Sequence, residues 1–170
     1  MSPAESLAPP RGFTLLEMLL VVAIVAALGG FVLLTSPQDP AARRHRALGD
    51  FRAWLAHHRD LVQLQGGVRG VVLARHHYAP SIWGESQRAW VAAGPPVALN
   101  PQDALTLHVE GQRVVLPAAL PTTPQIVLMA SGEMTSFALQ VGPGDASAPQ
   151  KPVLQIAGDA LGRLTTGAVP

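Results

Sequence analysis

The sequence predicts an α+β protein in which a long N-terminal helical segment packs on an antiparallel β-sheet domain. Three observations predict it: an apolar run from Phe13 to Leu34, an amphipathic stretch from Ala41 to about Gln65, and, beyond Gly66 and Gly67, short alternating segments separated by turn residues. With 170 residues the chain has room for one domain with its own core, or a small domain plus an accessory element; two full domains are not expected.

Composition narrows the classes. Hydrophobic residues make up 48% of the chain and charged residues 14%; the apolar run inflates the first figure, and the remainder is ordinary globular composition, which argues against disorder. The 12 basic and 11 acidic side chains nearly cancel, so bulk charge makes no case for nucleic acid or anionic lipid. Without cysteine there is no disulfide framework, thiolate metal site or lipidated cysteine, and an oxidising compartment is permitted.

The first element is the apolar run. At about 1.5 Å per residue, Phe13–Leu34 as a helix is about 33 Å long, close to the roughly 30 Å of a bilayer's hydrocarbon core. A buried helix of a soluble core seldom runs this far without a polar face. A cleavable secretory signal wants a shorter stretch and a small-residue cleavage site, whereas here the run continues through AALGGFVLL into TSPQDP. A retained membrane segment is therefore preferred. Arg43, Arg44 and Arg46 follow it, while Arg11 alone precedes it, so the positive-inside rule taken by itself would leave the C-terminal part in the cytoplasm.

Glu17 is out of place in such a run. A carboxylate deep in a bilayer costs about 2.5–3.5 kcal/mol, so it should face a partner rather than lipid. The bland explanation is an acid in the first helical turn, favoured by the helix dipole by about 0.3–1 kcal/mol.

TSPQDP then breaks the helix, and Asp39-Pro40 suits the cap and first turn of a second one. In this second helix Leu48, Phe51, Leu55 and Val62, with Trp54 and Leu61, recur three or four apart, and Arg44, Arg52, Arg59 and Asp60 can lie on the wet side. Gly66 and Gly67 end it. A strand follows from about Val68 to Ala74 and a short one around Trp90. LTLHVEGQRVVLP alternates about a turn at Glu110 and Gly111; PQIVLMASGEMTSFALQVG reads as strand, turn at Ser131 to Glu133, strand. GPGDASAPQK is a loop, and KPVLQIAGDALGRLTT repeats the strand–turn–strand design near Gly158 to Gly162.

RGFTLLEMLLVVAIVAALGG resembles the class III signal of type IV prepilins and pseudopilins: a polar leader ending in glycine, then phenylalanine, threonine, leucines, and glutamate fifth from the phenylalanine. IVLMASGEMTSFALQVG and LQIAGDALGRLTT are similar to the C-terminal pattern of the H-type minor pseudopilins (GspH family) of type II secretion, through Gly132, Glu133, Thr135, Phe137, Gly158, Asp159, Gly162 and Arg163. RAWVAAG and RVVLP also sit where that group tends to have a tryptophan and a Leu-Pro. The resemblance implies the type IV pilin-like fold, with a leader over 1–12, a membrane and filament-core helix over 13–34, a break and amphipathic helix over 35–65 and a periplasmic antiparallel β domain over 66–170. It implies that a prepilin peptidase cuts between Gly12 and Phe13 and N-methylates Phe13, with the C-terminal domain in the periplasm, against the charge-based orientation. It further implies that Glu17 meets the amine of a neighbouring subunit during assembly. The implied partners are the other minor pseudopilins, the major pseudopilin, the peptidase, the inner-membrane assembly platform and, through residues 13–34, membrane lipid.

Nothing in the sequence marks an enzyme, and neither a cofactor nor a metal is expected. The pairs His57-His58 and His76-His77 are neighbours whose side chains diverge. Asp145, Asp159 and Glu133 could offer oxygens to calcium but lack the spacing of a compact ligand loop. No nucleophile elbow or phosphate loop is present. Arg43, Arg44 and Arg46 read as a headgroup-facing collar or solvated helix start, with a subunit contact as the functional rival. Three functions follow: a minor pseudopilin that helps folded proteins leave through the outer-membrane secretin, a minor pilin of a type IV pilus or DNA-uptake machine, and a membrane-tethered enzyme, for which the soluble part gives no support. After Arg113 only Lys151 and Arg163 are basic, so nucleic-acid binding is not expected.

Overall fold

The structure, a computed structural model, describes residues 15–34, 39–144 and 154–168. The chain divides into two compact units between residues 38 and 39. The first holds helix α1, Leu15–Leu34. Every side chain described in it, Leu15 to Val25, is exposed. These cover only the first half of the 20-residue helix, and among the described residues no helix is long and apolar enough to cross a membrane.

The second unit begins with α2, Pro40–Gln65. Asp39 caps it by accepting the Ala41 N–H at 3.0 Å, and Pro40 occupies the first turn, where no backbone donor is needed. At the other end the Gly66 N–H reaches the Val62 carbonyl at 2.8 Å with φ +75°, a left-handed conformation that favours glycine. Leu48, Phe51, Leu55, His58 and Val62 form the buried stripe, spaced three or four apart as one helical face demands.

Ten strands follow: β1 Val68–Leu73, β2 His77–Gly84, β3 Ala89–Ala92, β4 Val97–Ala98, β5 Asp103–Val109, β6 Gln112–Val114, β7 Ile126–Met129, β8 Phe137–Pro143, β9 Leu154–Gly158 and β10 Leu164–Ala168. They make two antiparallel sheets where the sequence suggests one. The first runs β3-β2-β1-β7 with β4 also on β2; the second runs β10-β9-β8-β5-β6. Helix α2 lies against β1 and β7 of the first sheet and β8 and β9 of the second, so one helical stripe closes both.

The division into two sheets corrects one sequence expectation. The segment from Ile126 to Val141 is not a hairpin: β7 pairs with β1, β8 pairs with β5 and β9, and a lone bridge, Leu128 to Met134, joins the two arms. Thr135 ends the pairing, its N–H bonded to the Val127 carbonyl and its hydroxyl accepting the Val127 N–H, both at 3.0 Å. Strand β2 is a second difference, since Pro80 obscures it in the sequence. Pro80 falls in the gap between β3 and β4, where its carbonyl accepts the Ala93 N–H at 2.9 Å and its missing donor leaves no ladder bond unmade. The β5–β6 turn is as read: Glu110 and Gly111 have φ of +50° and +80°, the paired left-handed residues of a tight hairpin.

Three rings show how the layers meet. Phe51 of α2 packs edge-on against Tyr78 of the first sheet at 5.0 Å and against Phe137 of the second at 6.4 Å between centroids. Phe51→Ala removes the ring common to both sheets and should cost about 3–5 kcal/mol in chemical denaturation, whereas truncating the exposed Leu64 should cost under about 0.5 kcal/mol.

Candidate functional site

Among the sequence-predicted site residues, Glu17 is described and Gly12 and Phe13 lie outside the described residues. Glu17 sits in the first turn of α1, where a negative charge suits the helix N-terminus. It is flanked by exposed Leu15, Leu16, Met18, Leu19 and Leu20, so this part of the helix is apolar on every side except at the carboxylate.

The arginines after the apolar run are placed differently from the expected collar. Arg43 grips the Asp103 carboxylate with its Nε at 2.8 Å and a terminal nitrogen at 3.3 Å, and the Arg44 Nε donates to the same carboxylate at 2.7 Å. Only Arg46 remains on the exposed face, turned back to the Ala42 carbonyl. Asp103 is 1% exposed and opens β5, held by its N–H to the Asn100 carbonyl at 2.9 Å, while the His76 Nδ1 lies 2.8 Å from its carbonyl oxygen. Burial alone would push the carboxyl up, but the hydrogen bonds and charges of Arg43 and Arg44 outweigh it and hold the group below the usual carboxylate range. Arg59 also leaves the wet side, donating to the Gly162 carbonyl at 2.9 Å.

That last contact belongs to a seam where the two sheets and α2 converge. Gly132 and Gly162 both have positive φ, +93° and +79°, and a Cβ on Gly162 would strike the Gly132 carbonyl oxygen. A Cβ on Gly158 would strike the Phe137 ring and the Met134 side chain. Asp159 organises the turn: one carboxylate oxygen accepts the N–H groups of Leu161 and Arg163 at 3.0 and 2.9 Å, and the other accepts the Arg163 Nε at 2.7 Å. The backbone N–H of Arg163, then its side chain, hold this carboxyl down. The residues that carried the C-terminal resemblance are thus the ones that close the seam.

The His57 and His58 rings do not diverge as expected but lie 5.5 Å apart between centroids, edge to face. His76 turns to Asp103, and His58 lies on the buried stripe with its ring 4.3 Å from that of Trp54. Among the described residues no group of three His, Asp or Glu is placed to hold a metal; Asp145 lies outside them. The carboxylate of Asp159 is committed to its turn, and Glu133 accepts from the Ser131 hydroxyl at 3.3 Å.

Residues 9–33 match the prokaryotic N-terminal methylation motif, which spans Gly12, Phe13 and Glu17. Type II secretion system protein H of Escherichia coli strain K12 is 31% identical over 142 residues, 76% of this chain and 79% of that protein. The chain belongs to the type II secretion system protein H family. The protein of that name from Pseudomonas aeruginosa is 26% identical over 141 residues, 77% of this chain and 82% of its own. The fold is shared with the crystal structure of the minor pseudopilin EpsH from the type II secretion system of Vibrio cholerae, at TM-score 0.63 and 17% identity, covering 75% of this chain and 95% of that one. The solution structure of E. coli GspH superposes at TM-score 0.58 with 18% identity, over 78% and 94% of the two chains. As a member of that family the chain is a minor pseudopilin of type II secretion, a structural component and not an enzyme, and membership implies other pseudopilins as partners. Between the secretion and pilus readings, the relatives are those of secretion.

Asp103 and His58 were missed as interior polar groups. His58 had a signal, being on the 51–55–58–62 stripe; Asp103 had none, since its partners lie about 60 residues away. Burial first, then the charges of Arg69 and His57, push His58 down to about 4 from 6.5. The neutral ring is favoured in the fold, so stability is full above pH 6.5 and declines as pH falls towards 4, where the unfolded chain takes up the proton first. The decline should be about 1–2 kcal/mol, and His58→Leu should remove it from the pH profile of denaturant unfolding.

Proposed function

We propose that this chain is made as a precursor, cut by prepilin peptidase between Gly12 and Phe13, N-methylated on Phe13, and built into the periplasmic pseudopilus with the major pseudopilin and other minor pseudopilins. Phe13–Leu34 anchors the chain in the inner membrane before assembly, the β domain faces the periplasm, and the inner-membrane platform receives the processed subunit. As part of the pseudopilus it helps folded proteins leave through the outer-membrane secretin. The observation that carries this reading is the match of residues 9–33 to the methylation motif, reinforced by a helix whose described side chains are apolar all round apart from Glu17.

The chemistry is simple. Cleavage leaves a new amine at Phe13, and a carboxylate four residues on is the anion it lacks, within its own chain or between subunits offset along the fibre. Inside a packed helical core the pair is mutually compensating, whereas either charge alone in lipid is costly. Glu17 is thus read as the residue that favours the assembled state over the free membrane state.

Replacing Gly12 with a bulky residue should leave the leader uncut, and mass spectrometry of the purified chain should find the original N-terminus; a normal Phe13 terminus rejects the peptidase assignment. Glu17→Ala should be processed and membrane-bound as usual yet recover at least about ten-fold less partner pseudopilin on copurification, the loss of about 1.4 kcal/mol or more of pairing energy. Undiminished recovery rejects the role given to Glu17.

A further inference from the structure

The second sheet ends in a strand with one neighbour. In the order β10-β9-β8-β5-β6, β10 pairs with β9 alone, and at five residues it is longer than β3, β7 and β6, which stand at the other sheet ends with four, four and three. Edge strands are usually blunted by short length, charge or proline, because a row of unpaired N–H and C=O groups is a template for another chain. Leu164, Thr165, Thr166, Gly167 and Ala168 carry neither charge nor proline, and Thr165, Thr166 and Gly167 are exposed. The turn before β10 fixes which of its groups face outwards. The Asp159 N–H donates to the Arg163 carbonyl at 3.1 Å, so 159 and 163 are a hydrogen-bonded pair, and the register continues with Thr165 opposite Ala157 and Gly167 opposite Gln155. Bonded and non-bonded pairs alternate along an antiparallel ladder. Thr165 and Gly167 therefore direct their backbone groups to β9, and Leu164, Thr166 and Ala168 direct theirs to the open side, where none of the three makes a backbone hydrogen bond among the described residues.

The outer face beside this edge is hollow. The alternation that buries Leu107, Leu139 and Ile156 turns His108, Ala138 and Ala157 to the opposite face, in one row with Thr165. Two alanines between larger neighbours leave a trough of about 340 Å³, bordered by His108, Ser136 and Thr165. Arg163 and Asp159 also border it, but they are joined to each other in an ion pair of 2.7 Å, so their charges offset one another. A methyl floor rimmed by hydroxyls and an imidazole fits a long side chain with an apolar stem and an uncharged polar tip.

We infer that β10 and this trough are a docking site for another pseudopilin: an extended segment of that subunit pairs with the open edge of β10 and leans a long, uncharged polar side chain over Thr165 into the trough. This rests on the pseudopilus reading above. Main-chain hydrogen bonds supply the affinity and the trough selects the segment, the division found wherever a strand is added to a sheet edge. A second copy of this chain is the poorer occupant. Its own β10 would bring only Thr165 and Gly167 to the outer face, too short to reach the floor, and the preceding Arg163 is held by Asp159.

The test uses the full-length chain, coexpressed with its partner pseudopilins and purified in detergent. In the complex, amide hydrogen exchange at Leu164 and Thr166 should slow about ten-fold or more relative to the chain alone, while Thr165 and Gly167, already bonded to β9, keep their rates. Unchanged exchange at Leu164 and Thr166 in a complex that has formed overturns the site. Thr166→Pro removes an outward N–H and no ladder bond, so recovery of partner pseudopilins should fall about ten-fold with the Tm unchanged. Should that variant lose Tm, Ala157→Leu, which fills the trough and leaves the ladder intact, decides in its place by the same fall. A photo-cross-linking residue at Thr165 should join this chain to another pseudopilin; a product joining two copies of this chain overturns the occupant. A wild-type chain that recovers no partner overturns the pseudopilus reading and the docking site with it, whereas wild-type recovery that neither variant diminishes overturns the docking site alone.

Discussion

The contact on which the β domain depends is the buried stripe of α2. Neither sheet is closed by the other: Val71, Leu73 and Tyr78 of the first and Leu139, Phe137 and Ile156 of the second belong to one core whose common members come from the helix. Phe51 is in ring contact with both sheets at once. A sheet with one apolar face must bury it against another layer, and two sheets sharing one helix make that helix's stripe the place where their packing is coupled. The seam follows from the same constraint. Where the sheets draw together beside the helix, the backbones of Gly132 and Gly162 approach more closely than a Cβ would allow, and Arg59 of the helix fastens the carbonyl that results.

Two interior polar groups that meet α2, one within the stripe and one beyond it, are held in opposite ways. His58 sits within it and stays neutral because burial disfavours its charge. Asp103 lies beyond its N-terminal end and stays charged because two guanidiniums converge on it. The difference is one of supply: near His58 the charged neighbour is a like charge, Arg69, whereas at Asp103 both neighbours are opposite. Where apolar contact runs out at Leu48, ion pairing takes over the task of holding the helix in register.

This also explains what could be read in advance. The bounds of α2 were legible because Asp39-Pro40 and Gly66-Gly67 act within a turn of where they stand, and the β5–β6 and β9–β10 hairpins were legible because their strands are neighbours in sequence. The parting of β7 and β8 into different sheets was not, since a strand, a short turn and a strand look alike whether the arms pair or diverge; the choice is made by partners far away, β1 for one and β5 and β9 for the other. Locally the arms meet beside the turn, through the Met129 N–H on the Glu133 carbonyl, the Leu128–Met134 bridge and the bonds between Val127 and Thr135. The double grip on Asp103 failed to show for the same reason. Three arginines within four positions, Arg43, Arg44 and Arg46, resemble a solvated helix start unless the carboxylate opposite the first two is known, and nothing near Asp103 in the sequence announces it.

The N-terminal segment was legible for the opposite reason, because its signal is local and owes little to packing. Helix α1 has no wet face among its described side chains, so a helix of this kind is matched in turn to lipid and to the apolar flanks of other helices, which are equivalent in polarity. A purely apolar helix would have little to favour one of these surroundings over the other. On the function proposed above, a carboxylate costing about 2.5–3.5 kcal/mol in lipid would change the balance, because the amine of a processed neighbour would offset that cost. On that proposal the charge that would weaken the segment as an anchor would also give it direction as a subunit.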